Sequence, residues 1–177
     1  GTYAIACRRW SVLNPLAFQR DQLTIEGYLA SRPIADPLRL LDCAYPVNGG
    51  AAVIVMSPER AAACRQPPVY VHGMGQGHVT TPRMARQEAA PTGGALAAAR
   101  AYRMAGIAAT DVDVCQFYDA FSICAILALE DFGLCPKGAA TAFIGSGATS
   151  PGGRMPMNTG GGHLADCYLQ GMTPLLE

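Results

Sequence analysis

The sequence lacks an excess of either charge. Its 177 residues contain 13 Lys and Arg against 13 Asp and Glu, so the formal net charge is zero. Because a nucleic-acid-binding domain usually carries a basic patch, we expect no nucleic-acid partner. Half of the residues are hydrophobic and only 15% are charged, which predicts a sizeable buried core and excludes bulk disorder.

Long hydrophobic runs are missing as well. The longest apolar stretches, such as residues 123–129, are much shorter than the ~20 residues that a membrane helix needs. The chain does not open with a basic segment followed by an apolar one, which is the pattern of a signal peptide. We therefore expect a cytoplasmic protein without membrane insertion.

The third absence is any metal-binding pattern. The three histidines, His72, His78 and His163, form no H-E-x-x-H motif, and no C-x-x-C pair occurs. The odd number of scattered cysteines favours free thiols in a reducing compartment. The seven are Cys7, Cys43, Cys64, Cys115, Cys124, Cys135 and Cys167. The sequence predicts neither a metal site nor a disulfide framework.

Short apolar runs alternate with helical patterns along the chain, which predicts an α/β fold. The apolar runs at 51–56, 69–72 and 112–117 are typical of buried strands. Helices are expected at 21–31, with Thr24 as N-cap and Leu29 on the apolar side, at 60–64, at 92–106, at 122–132 and from His163. Residues 66–68, Gln-Pro-Pro, are the clearest candidate for a linker.

Three segments lie where α/β folds usually place function, at the junction of a strand and a helix, and two of them are the stronger candidates. Tyr118-Asp119 follows a predicted strand, where a phenol could exchange a proton with a substrate oxygen. The Gly160-Gly161-Gly162 run after Asn158 permits close approach to a ligand. The structural alternative for the first segment is that Asp119 caps a helix beside a surface tyrosine. For the glycine run, the structural alternative is a simple tight turn.

Two weaker candidates complete the set. Residues 72–78 contain G-x-G-x-G but not the continuation that a dinucleotide fold needs, so they are interpreted as a strand-to-loop turn. Four arginines are candidate contacts for a coenzyme A phosphate, although scattered arginines are more often solvated surface: Arg83, Arg86, Arg100 and Arg103.

Taken in order, several of these segments resemble the sterol-carrier-protein type of thiolase, and more closely its lipid-transfer-protein aldolase branch. The matching stretches are residues 28–43, 48–55, 118–121, 129–138 and 158–162. The resemblance implies a thiolase-like αβαβα layered fold made of two similar halves. Residues 1–65 would complete the N-terminal half, and residues 66–177 would form most of the C-terminal half without its last strands.

The departures from a thiolase are more informative than the matches. Thiolases of this type carry His-Asp-Cys-Phe where this chain has Tyr118-Asp-Ala-Phe, and the histidine of their Gly-His-Pro falls on Tyr168. A neutral phenol, whose ordinary pKa is about 10, cannot readily deprotonate a thiol whose pKa is about 8.5. Covalent thiolase chemistry is therefore not expected from this site, and none of the seven cysteines is assigned the nucleophile's role.

Two phenols that face one substrate suit retro-aldol cleavage of a β-hydroxyacyl-CoA. One would take the proton of the β-hydroxyl, while the other, or a backbone N–H of the glycine turn, would stabilise the enolate. The resemblance thus implies that Tyr118 and Tyr168 are catalytic. Substrate-binding roles would fall to Asp119, Asn158, Gly160, Gly161 and Gly162.

The resemblance also implies a steroid or lipid side-chain substrate, a homodimer and a small OB-like partner of the DUF35 type. Coenzyme A would enter as part of the substrate, and no separate cofactor is expected. Two alternatives remain open: an acetyl-CoA acyltransferase whose catalytic cysteines lie outside this chain, and a non-catalytic binder of lipid or acyl-CoA. In each case, this chain alone is expected to be inactive.

Overall fold

The computed structural model describes residues 1–79 and 92–177, which form two compact units. The first unit consists of Gly1–Gly49 and Ala109–Glu177, and the second is Gly50–Ala108. The boundary near residue 65 predicted from the sequence refers to the two repeated halves of a thiolase. Compactness does not test that boundary, so it stays a prediction.

Helices dominate the described residues, with one short antiparallel hairpin. In chain order, the elements are α1 (Thr2–Ser11), α2 (Ile25–Ala30), β1 (Pro33–Ala35), β2 (Leu38–Arg39), α3 (Pro58–Ala62), α4 (Gly93–Ala105), α5 (Ser122–Asp131), α6 (Ala140–Gly145), α7 (Gly162–Ala165) and α8 (Met172–Leu176). Within residues 1–79 and 92–177, single 3-10 turns occur at Leu40–Asp42 and Ala109–Asp111.

Helix α1 occupies the middle of the first unit, where it contacts α6, α7, α5 and α2. Its buried side chains Tyr3, Ala4 and Cys7 join a single apolar cluster whose innermost large members are Leu129 and Ile144. Burying a side chain of that size contributes about 1.5–3 kcal/mol. The cluster therefore fixes α1 beside the chain segments that carry the candidate site.

The predicted helices are confirmed where local chemistry sets their ends. The Thr24 hydroxyl accepts a hydrogen bond from the Gly27 N–H at 3.2 Å, which is an N-cap. Gly106 adopts φ +70° after α4, as a left-handed C-terminal glycine does. Leu29 was expected on the apolar side of α2, but it is 54% exposed, and the buried position belongs to Tyr28.

The predicted strand at 112–117 forms only a minimal pairing. A parallel bridge joins Cys115 to Met157, and the Cys115 N–H donates to the Pro156 carbonyl at 3.0 Å. Cys115 and Phe117 are buried while Val114 is 49% exposed, which is the alternation of a strand with one covered face.

The strands predicted at 51–56 and 69–72 are wrong for the described structure. Neither segment belongs to a strand among residues 1–79 and 92–177. Ile54, Val55 and Val69 are 81%, 85% and 96% exposed. An apolar run becomes a strand buried on both faces only where neighbouring strands and covering helices surround it, and no described strand pairs with either segment.

The glycine-rich run at 72–78, interpreted from the sequence as a turn, instead lies along α4 in the second unit. A methyl group added at Gly73, Gly75 or Gly77 would collide with a carbonyl oxygen of that helix. The oxygens belong to Ala101, Ala97 and Gly93 respectively. The alternate glycines thus allow the chain to contact the helix backbone directly.

Candidate functional site

The site begins where the pairing between residues 115–117 and 155–158 ends. Asn158 has φ +48°, a left-handed conformation that non-glycine residues rarely adopt. Its backbone N–H still donates to the Cys115 carbonyl, but its side-chain amide then takes over the pairing. Oδ1 accepts from the Phe117 N–H at 2.7 Å, and Nδ2 donates to the Phe117 carbonyl at 3.0 Å. The backbone is thereby released into the glycine turn.

The two tyrosines predicted from the sequence come together. Tyr118 follows the strand segment, and Tyr168 lies in the loop between α7 and α8. Their hydroxyl oxygens are 2.7 Å apart, which is hydrogen-bonding distance for two O–H groups. Tyr118 is 43% exposed and Tyr168 is partly buried, so a ligand in solution could reach the hydroxyl pair.

A histidine that sequence reasoning did not single out for this site lies against both phenol rings. The ring centroid of His163 is 4.9 Å from that of Tyr118 and 5.1 Å from that of Tyr168, in edge-on arrangements. The residue is only 1% exposed. A lone histidine after a glycine run has no diagnostic spacing, and only its position five residues before Tyr168 hinted at the site.

Both ring nitrogens of His163 have partners. Nε2 lies 2.6 Å from the Gln170 carbonyl oxygen, which can only accept, so Nε2 carries a proton. Nδ1 lies 3.0 Å from the Asp119 backbone nitrogen and 2.8 Å from Asp119 Oδ1. It can therefore accept from the N–H when the ring is neutral and donate to the carboxylate when the ring is charged.

Asp119 connects this histidine to α1. Burial acts to lower the pKa of His163, but the hydrogen bond and charge of Asp119 outweigh it, and the net effect raises that pKa. The carboxylate also accepts from the Tyr3 hydroxyl at 2.6 Å and from the His163 backbone N–H at 2.8 Å. Burial, followed by the charge of Asp119, raises the pKa of Tyr3 well above its ordinary value, which keeps the Tyr3 hydroxyl a donor.

The glycine turn passes directly over this buried network. Gly162 has φ +62°, and a methyl group there would collide with the Asp119 carboxylate and lie 2.8 Å from Asn158 Nδ2. The Asn158 side chain in turn donates to the Tyr3 hydroxyl at 2.9 Å. A residue with a side chain would displace these groups, so the turn requires glycine at this position.

The backbone of the same turn binds a carboxylate. The N–H groups of Gly160 and Gly162 donate to the two carboxylate oxygens of Glu177, each at 3.2 Å. Burial is the main cause that raises the pKa of Glu177 to about 7. The turn thus presents two N–H groups to one oxygen-bearing group, beside a pocket of about 370 Å³ that Trp10 and Asp166 help to line.

Of the arginines proposed as coenzyme A contacts, Arg100 and Arg103 lie in α4, which belongs to the second unit. Arg100 donates to the Gln76 carbonyl within the second unit, and Arg83 and Arg86 lie outside the described residues. All seven cysteines are unpaired. The described residues contain no group of three or more His, Cys, Asp or Glu side chains suited to holding a metal ion. No helix in the described part of the chain is long and apolar enough to cross a membrane.

The comparisons with known proteins agree with this architecture. The family model described as thiolase C-terminal domain-like matches residues 75–177. A solved structure, the Ltp2-ChsH2(DUF35) aldolase, superimposes with a TM-score of 0.92 at 32% identity, covering 99% of this chain and 48% of that one. The thiolase-like fold predicted from the sequence is therefore confirmed.

Two curated relatives align over the whole chain. The 17-hydroxy-3-oxo-4-pregnene-20-carboxyl-CoA lyase of Mycobacterium tuberculosis is 37% identical over 184 residues, which is 47% of that protein. The steroid side-chain-cleaving aldolase of Thermomonospora curvata is 34% identical over 183 residues, also 47% of its length. The chain thus spans about half the length of these relatives.

Proposed function

We propose, for a chain that belongs to the thiolase C-terminal domain-like family, that the complete protein cleaves a carbon–carbon bond of a β-hydroxyacyl-CoA thioester. The reaction is a retro-aldol cleavage, and Tyr118 and Tyr168 exchange its protons. One observation carries the proposal: the two phenol hydroxyls lie 2.7 Å apart. The names of the lyase and the aldolase that align with the whole chain support the same chemistry.

The proton balance of the reaction suits a pair of linked hydroxyls. One tyrosine, as phenolate or through a water molecule, takes the proton of the β-hydroxyl, and the Cα–Cβ bond then breaks. The products are a carbonyl compound and the enolate of the shortened thioester, whose carbon takes up one proton. The two hydrogen-bonded tyrosine hydroxyls can pass the proton of the β-hydroxyl from one phenol to the other and then to the enolate carbon. No net proton is consumed.

The other predicted site residues receive separate roles in this proposal. Gly160 and Gly162 offer N–H groups that can stabilise an enolate oxygen, as their bonds to the Glu177 carboxylate illustrate. Asp119 and Asn158 are buried. We therefore assign them to shaping the turn and supporting the tyrosines, with Gly161, at φ +117°, completing the turn.

The names of the relatives support the substrate and partner that we propose. A steroid acyl-CoA with a branched β-hydroxyacyl side chain is the proposed substrate, with coenzyme A as part of it and no separate cofactor. The name of the solved neighbour includes a DUF35 component, so we propose a small partner of that type. We also propose that the protein forms a homodimer in the cytoplasm.

The test is a cleavage assay on the complete protein with its DUF35-type partner. Tyr118→Phe and Tyr168→Phe should each lower kcat by about 10²–10⁴-fold, because each removes a proton-transfer group. Tyr70→Phe is the matched control, since Tyr70 belongs to the second unit, where its ring centroid lies 6.5 Å from that of His72. Unchanged turnover in both active-site variants would refute the assignment.

A second substrate distinguishes the alternatives. If the protein cleaves only a 3-ketoacyl-CoA in the presence of free coenzyme A, with a covalent acyl-enzyme, the chemistry is that of an acyltransferase. Tight acyl-CoA binding without any turnover, with the partner present, would identify a non-catalytic binder. Release of a ketone or aldehyde from the β-hydroxyacyl-CoA alone supports the lyase.

A further inference from the structure

We infer that His163 is a positioning residue that fixes the hydroxyl groups of Tyr118 and Tyr168 against each other. It does so by joining the strand end that carries Tyr118 to the loop that carries Tyr168. The inference deepens the proposed lyase function and rests on it for the kinetic part of its test. The structural part concerns the geometry of the two phenols in the absence of substrate.

The first observation is that the imidazole bridges the two segments. Nδ1 contacts the Asp119 backbone nitrogen at 3.0 Å, directly after Tyr118, and Nε2 contacts the Gln170 carbonyl at 2.6 Å, two residues after Tyr168. The ring is therefore bonded to both chain segments at once. With both nitrogens occupied in this way, His163 acts through its neighbours.

The second observation is that the imidazole packs edge-on against both phenol rings. The interplanar angles are 66° with Tyr118 and 89° with Tyr168, and the phenol centroids themselves are 6.1 Å apart. Edge-on packing against both phenol rings restricts the direction in which each hydroxyl points. A smaller side chain at position 163 would leave both rings room to turn.

The third observation concerns the loop. Gln170, whose carbonyl the histidine binds, has φ +50°, a conformation that a non-glycine residue adopts only when its surroundings hold it. Thr173 supplies one restraint, since its hydroxyl accepts from the Leu169 N–H at 2.9 Å and donates to the Cys167 carbonyl at 3.0 Å. His163 supplies the restraint at Gln170 itself.

Two substitutions separate the parts of this tether. His163→Asn keeps a polar group near Asp119 but cannot reach Gln170. His163→Gln reaches Gln170 but loses the contact with the Asp119 nitrogen. In the complete protein with its partner, we expect His163→Asn to lower kcat by about 10–100-fold, because small displacements of reacting groups have effects of that size. KM should stay within about twofold, since substrate binding is not altered.

Partial rescue is the second readout. His163→Gln should retain more activity than His163→Asn, because the bond to the loop carbonyl is preserved. Ile144→Val is the matched control: Ile144 is fully buried in the same unit but lies outside the tether. It should lower stability while leaving kcat unchanged. If the two His163 variants lose no more activity than Ile144→Val, the inference is overturned.

The closing experiment requires no turnover. Carbon-13 labelling of the tyrosine Cζ atoms gives one NMR signal per phenol, and Tyr118→Phe and Tyr168→Phe assign the two that matter. His163→Asn should shift both signals and leave the signal of Tyr70, in the second unit, in place. Unmoved signals in a folded His163→Asn variant would overturn the inference. If the tyrosine variants retain full lyase activity, the proposed function fails, while the NMR result still decides whether His163 holds the pair.

Discussion

Two buried aspartates in the first unit each accept a hydrogen bond from a tyrosine hydroxyl at 2.6 Å, but their surroundings differ. Asp42 accepts from Tyr28, from the Ser122 hydroxyl at 2.7 Å and from the Arg39 N–H at 2.8 Å. The partners of this carboxylate are hydroxyl and backbone groups. It joins α2, the hairpin and the start of α5, and none of these three bonds involves Tyr118 or Tyr168.

Asp119 has the same kind of tyrosine partner, Tyr3, but it also faces the imidazole of His163. It directly follows Tyr118 in the chain. Both sites contain a buried carboxylate bonded to a phenol. At Asp42 this arrangement only connects structural elements. At Asp119 the additional imidazole of His163 makes it the support of a candidate active site.

The largest contrast should come from removing each carboxylate. Asp119→Ala leaves Tyr3 and His163 with unsatisfied buried groups and should lower the free energy of unfolding by about 3–5 kcal/mol. Asp42→Ala leaves hydroxyl and backbone donors without an acceptor and should lower the free energy of unfolding by about 2–4 kcal/mol. Urea denaturation measures both. Activity of the folded fraction should disappear only in Asp119→Ala, and equal activity in the two variants would contradict the comparison.

The next contrast removes only the tyrosine hydroxyls. Tyr28→Phe should lower the free energy of unfolding by about 1.5–3 kcal/mol, the range for hydrogen bonds to charged groups. Tyr3→Phe should cost more, because the Tyr3 hydroxyl also accepts from Asn158 Nδ2. Thermal and urea unfolding supply the comparison. A larger loss in Tyr28→Phe would mean that the site network is the weaker of the two.

Ser122→Ala tests the structural joint by itself. It removes one donor to Asp42 and should lower the free energy of unfolding by about 1–2 kcal/mol, with kcat unchanged. Ser146→Ala is its control, since the exposed Ser146 hydroxyl donates only to the Phe143 carbonyl, at 2.8 Å. Loss of kcat in Ser122→Ala would show that the two networks are coupled.

The smallest effect should appear in the pH dependence of stability, where His163 in one network and Asp42 in the other contribute slopes of opposite sign. The raised pKa of His163 means that its contribution is complete below its unfolded value of about 6.5 and is lost as pH rises through the folded pKa. Burial acts to raise the pKa of Asp42, but its hydrogen-bond donors outweigh burial and lower it. That contribution is present above about pH 3.9 and is lost as pH falls.

Denaturation curves at a series of pH values check this prediction. His163→Asn should flatten the alkaline part of the profile, and Asp42→Asn should flatten the acidic part. Glu177, whose pKa is raised to about 7, adds a slope of the same sign as His163, so Glu177→Gln is the necessary control. A His163→Asn profile identical to that of the wild type would contradict the assignment.

Local chemistry explains which parts of the fold the sequence could predict. Thr24 and Thr92 cap the beginnings of α2 and α4, and Gly106 caps the end of α4, through bonds to residues a few positions away. Short windows of sequence therefore contain the information. The prediction of strands at 51–56 and 69–72 was wrong because burial on two faces depends on neighbours that are distant in the chain. Tyr118 and Tyr168 were found through their departure from the thiolase pattern.

The support of the tyrosine pair was beyond sequence reasoning. His163, Asp119 and Tyr3 come from three separated segments, and no periodicity or motif links them. Asn158 was predicted to bind substrate, but its amide continues a strand pairing, a role that depends on the backbone around it. Residue types predict possible chemistry, whereas the folded backbone decides which groups are already occupied.

The glycine run at 72–78 has a consequence for how this chain can change over evolution. Two residues of an extended chain advance by about 6.6 Å, and four residues of an α-helix advance by about 6 Å. The two repeats therefore match in length, and every second residue of the run contacts every fourth residue of the helix. The contacts join Gly73 to Ala101, Gly75 to Ala97 and Gly77 to Gly93. A single-residue insertion would present Met74 and Gln76 to the helix instead. This contact should tolerate many substitutions elsewhere but few changes in length.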